Sequence, residues 1–114
     1  MLQTSWKTAL FDISEDDDLT AEVDLGFPCD TLIVRIPTIT SAAISVQVAE
    51  KSGGTFQDLY ITVPSTGAPV KVATTAATTA HIVQFPLGGF QYIKLASGAG
   101  QAADRSFSVC GVRG

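Results

Sequence analysis

Residues 31–63 carry three runs rich in β-branched and aromatic residues, TLIVRI, AISVQVA and FQDLYITV, parted by a small-residue turn and by SGGT. Such residues favour a pleated, half-buried surface, and Gly and Ser clusters punctuate it, so the stretch is predicted to be an antiparallel meander. In the middle run Ile44, Val46 and Val48 alternate with Ser45, Gln47 and Ala49, which gives one apolar face and one that meets water. The first run is apolar at every position from Leu32 to Ile36 except Arg35, the pattern of a strand covered on both sides by sheet, loops or a neighbouring subunit. Pro37 ends it.

The same rhythm runs through the rest of the chain. Residues 6–13 (WKTALFDI) read as a first strand anchored by Leu10 and Phe11, and residues 21–25 (AEVDL) as a short second one before a turn at residues 26–30. After the break at residues 64–69 (PSTGAP), residues 70–73 read as a short edge strand with Lys71 facing solvent. In ATTAATTAH, residues 73–81, the alanines fall at helical spacing but four threonines oppose a helix. A loop or hairpin tip is the expectation there, with a short helix as the alternative. Residues 81–85 and 90–97 read as two strands joined through PLGG, with Phe90, Tyr92 and Lys94 on one face and Gln91, Ile93 and Leu95 on the other. The last strand spans residues 105–112, where Phe107 and Val109 alternate with small polar residues. Eight or nine short strands make an all-β fold, expected to be a single antiparallel β-sandwich domain of jelly-roll type over residues 1–114 with a short N-terminal arm.

Composition narrows the function classes. A chain of 114 residues is long enough to bury a core without metal or disulfide staples. Only 16% of residues are charged against 46% hydrophobic, below the usual ~25% charged, so part of the surface is expected to be hidden in an assembly. A net charge of -4 with scattered Lys and Arg argues against a nucleic-acid partner. No run reaches the ~18 apolar residues that span a bilayer, and the first residues lack a signal-peptide core, so the expectation is a chain made in the cytoplasm. Cys29 and Cys110 match no metal-site spacing; they are either reduced, packed thiols or a disulfide between the start of the meander and the last strand.

Catalytic chemistry needs a nucleophile with a base, a tuned carboxylate pair or a metal. His81, the one histidine, heads a strand with no second ligand near it, and Gly53-Gly54 and Gly88-Gly89 read as hairpin turns because no helix follows them. The expectation is therefore no enzyme, no cofactor and no metal centre. The acidic run Glu15, Asp16, Asp17 and Asp18, with Asp12 nearby, supplies oxygens for Ca²⁺ but lacks the order of a dedicated loop, so a solvated loop is the simpler reading. Trp6, Tyr60, Phe90 and Tyr92 would stack sugars if they shared a face; otherwise they belong to core or interface.

The segment EVDLGFPCDTLIVRIPTITSAAISVQVAEKSGGTFQDLY, continued by GGFQYIKLASGAGQAADRSFSVCGVRG, resembles small virion proteins among tailed-phage structural genes. The shared features are a strand ending in Leu-Gly, a hydrophobic strand ending in Ile-Pro-Thr, a Val-rich strand with a Gly turn and Phe-x-Asp-Leu, a Tyr-Ile-Lys strand, and a last strand after Ala-Asp-Arg. The match runs from Ala21 to the C-terminus, apart from residues 64–80, and its motifs are structural. It implies a virion component, foremost a capsid decoration or cement protein that binds the major capsid protein and copies of itself, as a trimer. A tail, neck or fibre module and a carbohydrate-binding attachment module are the alternatives. The residues expected at the interface are Met1, Leu2, Trp6, Tyr60, Phe90 and Tyr92.

Overall fold

The computed structural model describes residues 2–114, and within them the chain is all β. Nine strands form: β1 (Leu2–Gln3), β2 (Lys7–Phe11), β3 (Val23–Ile36), β4 (Ile44–Ala49), β5 (Gln57–Asp58), β6 (Tyr60–Thr62), β7 (Pro69–Lys71), β8 (His81–Ser97) and β9 (Arg105–Arg113). All but β6 and β7 belong to one antiparallel sheet of order β1-β9-β3-β8-β4-β5, with β2 beside β9 on the same edge as β1.

Two long strands turn this sheet into a sandwich. The second half of β3 lies between β9 and the first half of β8, whereas the second half of β8 lies between the first half of β3 and β4. The first layer therefore runs β2, β9, late β3, early β8, and the second runs early β3, late β8, β4, β5. Eight strand segments in that order make a jelly roll in which two pairs of successive strands have fused and bend around a corner. The corner is irregular on both strands: the register shifts between Asp24 and Cys29 and again between Cys29 and Thr31. Gly26, Gly88 and Gly89 sit there with positive φ of 102°, 68° and 102°, a region closed to most side chains.

Face assignments follow the pleat. Before the corner Val23, Leu25 and Cys29 point inward; after it Leu32, Val34 and Ile36 do, so the irregularity has reversed which parity faces the core. Both layers feed one cluster, with Phe11, Phe107, Val109, Leu32 and Phe85 from the first and Leu25, Ile44, Val46, Ile93 and Leu95 from the second. Phe11 and Phe107 meet edge to face at 5.0 Å, worth about 0.5–1.5 kcal/mol beyond their buried area.

Several expectations need correction. Residues 31–63 are not a single meander: β4 and β5 do pair as neighbours, but late β3 pairs with β8 and β9, so β3 and β4 are separated in the sheet by β8. The turn expected at residues 26–30 is the bend inside β3, and PLGG with Gly88-Gly89 is the bend inside the 17-residue β8 rather than a hairpin turn. FQDLYITV splits at Leu59, whose N–H bonds Val46 in the main sheet while β6 leaves to pair with β7. Arg35 is exposed and Ile33 half-buried, so late β3 is not covered on both faces. Residues 73–80 contain no helix; isolated bridges tie Ala73 to Ser45 and Ala77 to Ala42. Cys29 and Cys110 are both buried and unbonded to each other.

Candidate interaction surface

The two layers present outer faces of opposite character. On the second layer the outward residues include several ionic groups that are engaged within the chain. Asp24, opposite Tyr92, accepts hydrogen bonds from the Gly26 N–H and the Gln91 amide at 2.8 Å each, which hold its carboxyl below the usual range. Across β4, Gln47 faces Lys94 on one side and Asp58 on the other. Asp58 accepts from the Gln47 amide at 3.3 Å and pairs with Lys71 at 3.5 Å, and the Lys94 ammonium lies 4.8 Å from the centre of the Phe56 ring.

The first layer is different. The row Thr8, Ser108, Arg35, Ile82 crosses its four strands, Leu10 stands opposite Ser106 in the next row on one side, and Ile33 opposite Gln84 on the other. Arg35 is the one charge among these residues. Ile82 is 64% exposed and Leu10 39%, on a layer whose other face supplies Phe11, Phe107, Val109, Leu32 and Phe85 to the core. A flat, charge-poor face with exposed aliphatic side chains has the composition of an interface core. Its first edge carries Leu2 and Trp6, 52% and 50% exposed. Between them Thr4 is buried against β9: its N–H donates to the Gly111 carbonyl and its Oγ1 accepts from the Gly111 N–H, both at 2.9 Å. Cys110 Sγ donates to the Thr4 carbonyl at 3.3 Å, so the N-terminal arm is fastened to its own chain and seals that thiol.

A second exposed feature is the β6–β7 hairpin. All six of its strand residues are exposed, among them Tyr60, Ile61 and Val70. The base is closed by the Val72 N–H donating to the Leu59 carbonyl at 2.8 Å, and the tip by the Val63 N–H donating to the Ala68 carbonyl at 2.9 Å.

The expected interface residues thus scatter. Leu2, Trp6 and Tyr60 are exposed; Phe90 packs against the core and lines a cleft of about 460 Å3 with Glu50, Lys51 and Asp58; Tyr92 is half-buried on the ionic layer. Met1 lies outside the described residues. Trp6 lies between β1 and β2 at the edge of the main sheet, Tyr60 is on the β6–β7 hairpin, and Phe90 turns inward, so the four aromatics do not form one stacking face. Sequence reasoning took Leu10 for an apolar anchor beside Phe11, whereas it faces outward on the pleat, and it missed Ile82, Ile61 and Val70. The signal for Ile82 is its alternation with Val83 in HIVQF, and for Ile61 and Val70 the symmetric flanks of PSTGAP.

Other chemistry-bearing groups are engaged locally. His81 Nδ1 donates to the Thr79 carbonyl at 2.8 Å. Burial pushes the Cys29 thiol up, with Cys110 adding to the effect. In the acidic loop, Asp12 accepts from the Ser14 hydroxyl and N–H, which hold its carboxyl low, and Asp16 accepts from the Asp18 N–H. The Asp16, Asp17 and Asp18 carboxylates gather within 4.8 Å of one another, all exposed; their mutual interaction lowers Asp16 and raises Asp18.

No protein-family model matches the chain, and no curated relative does. Among solved structures it is similar to the SPBc2 prophage-derived protein YomS, with a TM-score of 0.52 and 16% identity over 97% of both chains. It also overlaps part of the catalytic domain of a GH87 α-1,3-glucanase in complex with nigerose, with a TM-score of 0.46 and 17% identity over 94% of this chain but 22% of that one. The likeness to YomS, end to end on both sides, is a likeness of fold.

Proposed function

We propose that this chain is a structural component of a bacteriophage particle, and specifically a capsid decoration or cement protein that stabilises the shell through protein–protein contacts. The observation that carries the reading is the outer face of the first layer, where Leu10, Ile33 and Ile82 stand exposed or half-buried around a single charge. Fold similarity to a prophage-derived protein over its whole length supports a phage setting. The resemblance of the Val-rich, Tyr-Ile-Lys and Ala-Asp-Arg segments to small virion proteins points the same way.

The mechanism is additive burial. Copies of a rigid domain, each seated by an apolar sheet face on the major capsid protein, together hold the lattice by avidity even where each contact is of ordinary size. The β6–β7 hairpin, exposed and closed at its base, suits a further reach to a neighbouring capsomer. No catalytic step enters this account. A tail, neck or fibre module would use the same surfaces at another place on the particle.

The test is binding of the purified protein to particles that lack it, read by co-sedimentation and by the temperature at which the shell releases DNA. The reading predicts retention and a higher release temperature, with Leu10→Arg/Ile82→Arg weakening retention by about tenfold or more. A protein that ignores the particles, or leaves their release temperature unchanged, contradicts it.

A further inference from the structure

The chain's three arginines are used differently. Arg105 donates to the Gln101 side-chain amide oxygen at 3.4 Å and the Thr40 hydroxyl at 3.3 Å, and Arg113 lies over the Phe27 ring at 5.3 Å. Arg35 stands alone on the charge-poor layer, and among the described residues no carboxylate comes within ion-pair distance of it. It lines a cleft of about 410 Å3 at the end of that layer, together with Pro37, Thr38, Ala80, Ser106 and Ser108. A guanidinium beside three hydroxyls, with Leu10 opposite Ser106 and Ile82 opposite Arg35, is a setting that receives a carboxylate flanked by apolar atoms.

The same chain carries the complementary element. The segment ISEDDD, residues 13–18, places four consecutive exposed acids after Ile13, itself 44% exposed, and none of the four pairs with a Lys or Arg among the described residues. Hydrogen bonds fix this loop at both ends: the Ile13 N–H donates to the Asp104 carboxylate at 3.0 Å, and the Asp17 and Asp18 carbonyls accept from the Gln101 and Ser97 N–H groups at 2.9 and 2.8 Å. A loop already ordered loses little entropy on docking. An unpaired arginine in a cleft and an unpaired acidic loop on one molecule are the two halves of a contact between copies.

We infer that the Arg35 cleft is a carboxylate-binding docking site whose occupant is the acidic loop, residues 13–18, of a second copy of this chain. The contact joins unlike patches, so it occurs twice in a two-fold dimer or once per junction in a ring. It goes beyond the particle reading by naming a second partner and the residues on both sides; because it uses the face which that reading seats on the shell, it is a contact of the free protein that shell binding displaces.

Sedimentation velocity on the full chain tests it, with circular dichroism to show that each variant is folded. The wild type is expected to self-associate, less so as salt rises. Arg35→Glu alone and Glu15→Arg/Asp17→Arg together each weaken association by about tenfold or more, and combining all three substitutions restores it. A wild type that stays monomeric, an Arg35→Glu protein that associates like the wild type, or a folded triple variant that does not recover overturns the inference. Particle binding is measured separately, so a monomer that still binds shells contradicts this contact and leaves the particle role standing.

Discussion

At the scale of single residues, the tightest constraint lies where β9 crosses the corner. Gly111 faces inward, and a methyl there would run into the Cys29 sulfur, with the Cys29 Cβ and a Leu25 methyl each 3.2 Å away. Gly111→Ala is therefore expected to cost about 1–3 kcal/mol, measured by urea unfolding, because both neighbours are fully buried core side chains with little room to shift. A second residue-level prediction concerns acid. Glu22 accepts from the Ser52 hydroxyl and the Gly53 N–H at 2.7 Å each, and these bonds hold its carboxyl low, as similar bonds do for Asp12 and Asp24. A carboxyl lowered by folding contributes stability that is present above its unfolded value and lost as pH falls through the folded one. Stability should thus decline below about pH 4, and Glu22→Gln/Asp24→Asn should flatten that decline in thermal melts. Asp18, raised by its neighbour Asp16, has the opposite sign, since its protonated carboxyl hydrogen-bonds the Asp16 carboxylate and the repulsion between the two is relieved.

Secondary structure was legible where pleat alternation was local. The expected strands at residues 6–13 and 105–112 correspond to β2 and β9, and Ile93 and Leu95 do face the core. Pairing was not legible, because a Gly-rich segment reads the same whether the chain reverses or bends. Gly88 and Gly89 turn one long strand around a corner instead of starting a hairpin, and what decides between the two is the partner strand β3, more than fifty residues earlier in sequence. The apolar run in late β3 likewise could not reveal that Ile33 faces a half-open layer. The exposed face was missed for a related reason: Leu10 and Ile82 become neighbours of one surface only once β9 and β3 lie between them. The β6–β7 hairpin gives a prediction of its own. Its flanks Leu59 and Val72 already meet, and its residues are exposed, so replacing residues 60–71 by an Asn-Gly turn should change stability by no more than about 1 kcal/mol. Calorimetry of the shortened chain checks this.

For the whole molecule, the two layers divide the work. The second carries Asp24, Asp58 and Lys94 in contacts closed within the chain, Asp58 with Lys71 of the β6–β7 hairpin, as a solvent face does. The first keeps aliphatic residues and one arginine uncommitted on a surface stiffened by a shared core. A domain so built suits placement in many copies on a regular support, through contacts that need no moving part. Cryo-electron microscopy of the particle, with copy number, tests that most directly. The account predicts copies distributed across the shell with the face bearing Leu10 and Ile82 turned toward it. A few copies confined to one vertex, or that face turned to solvent, would contradict it.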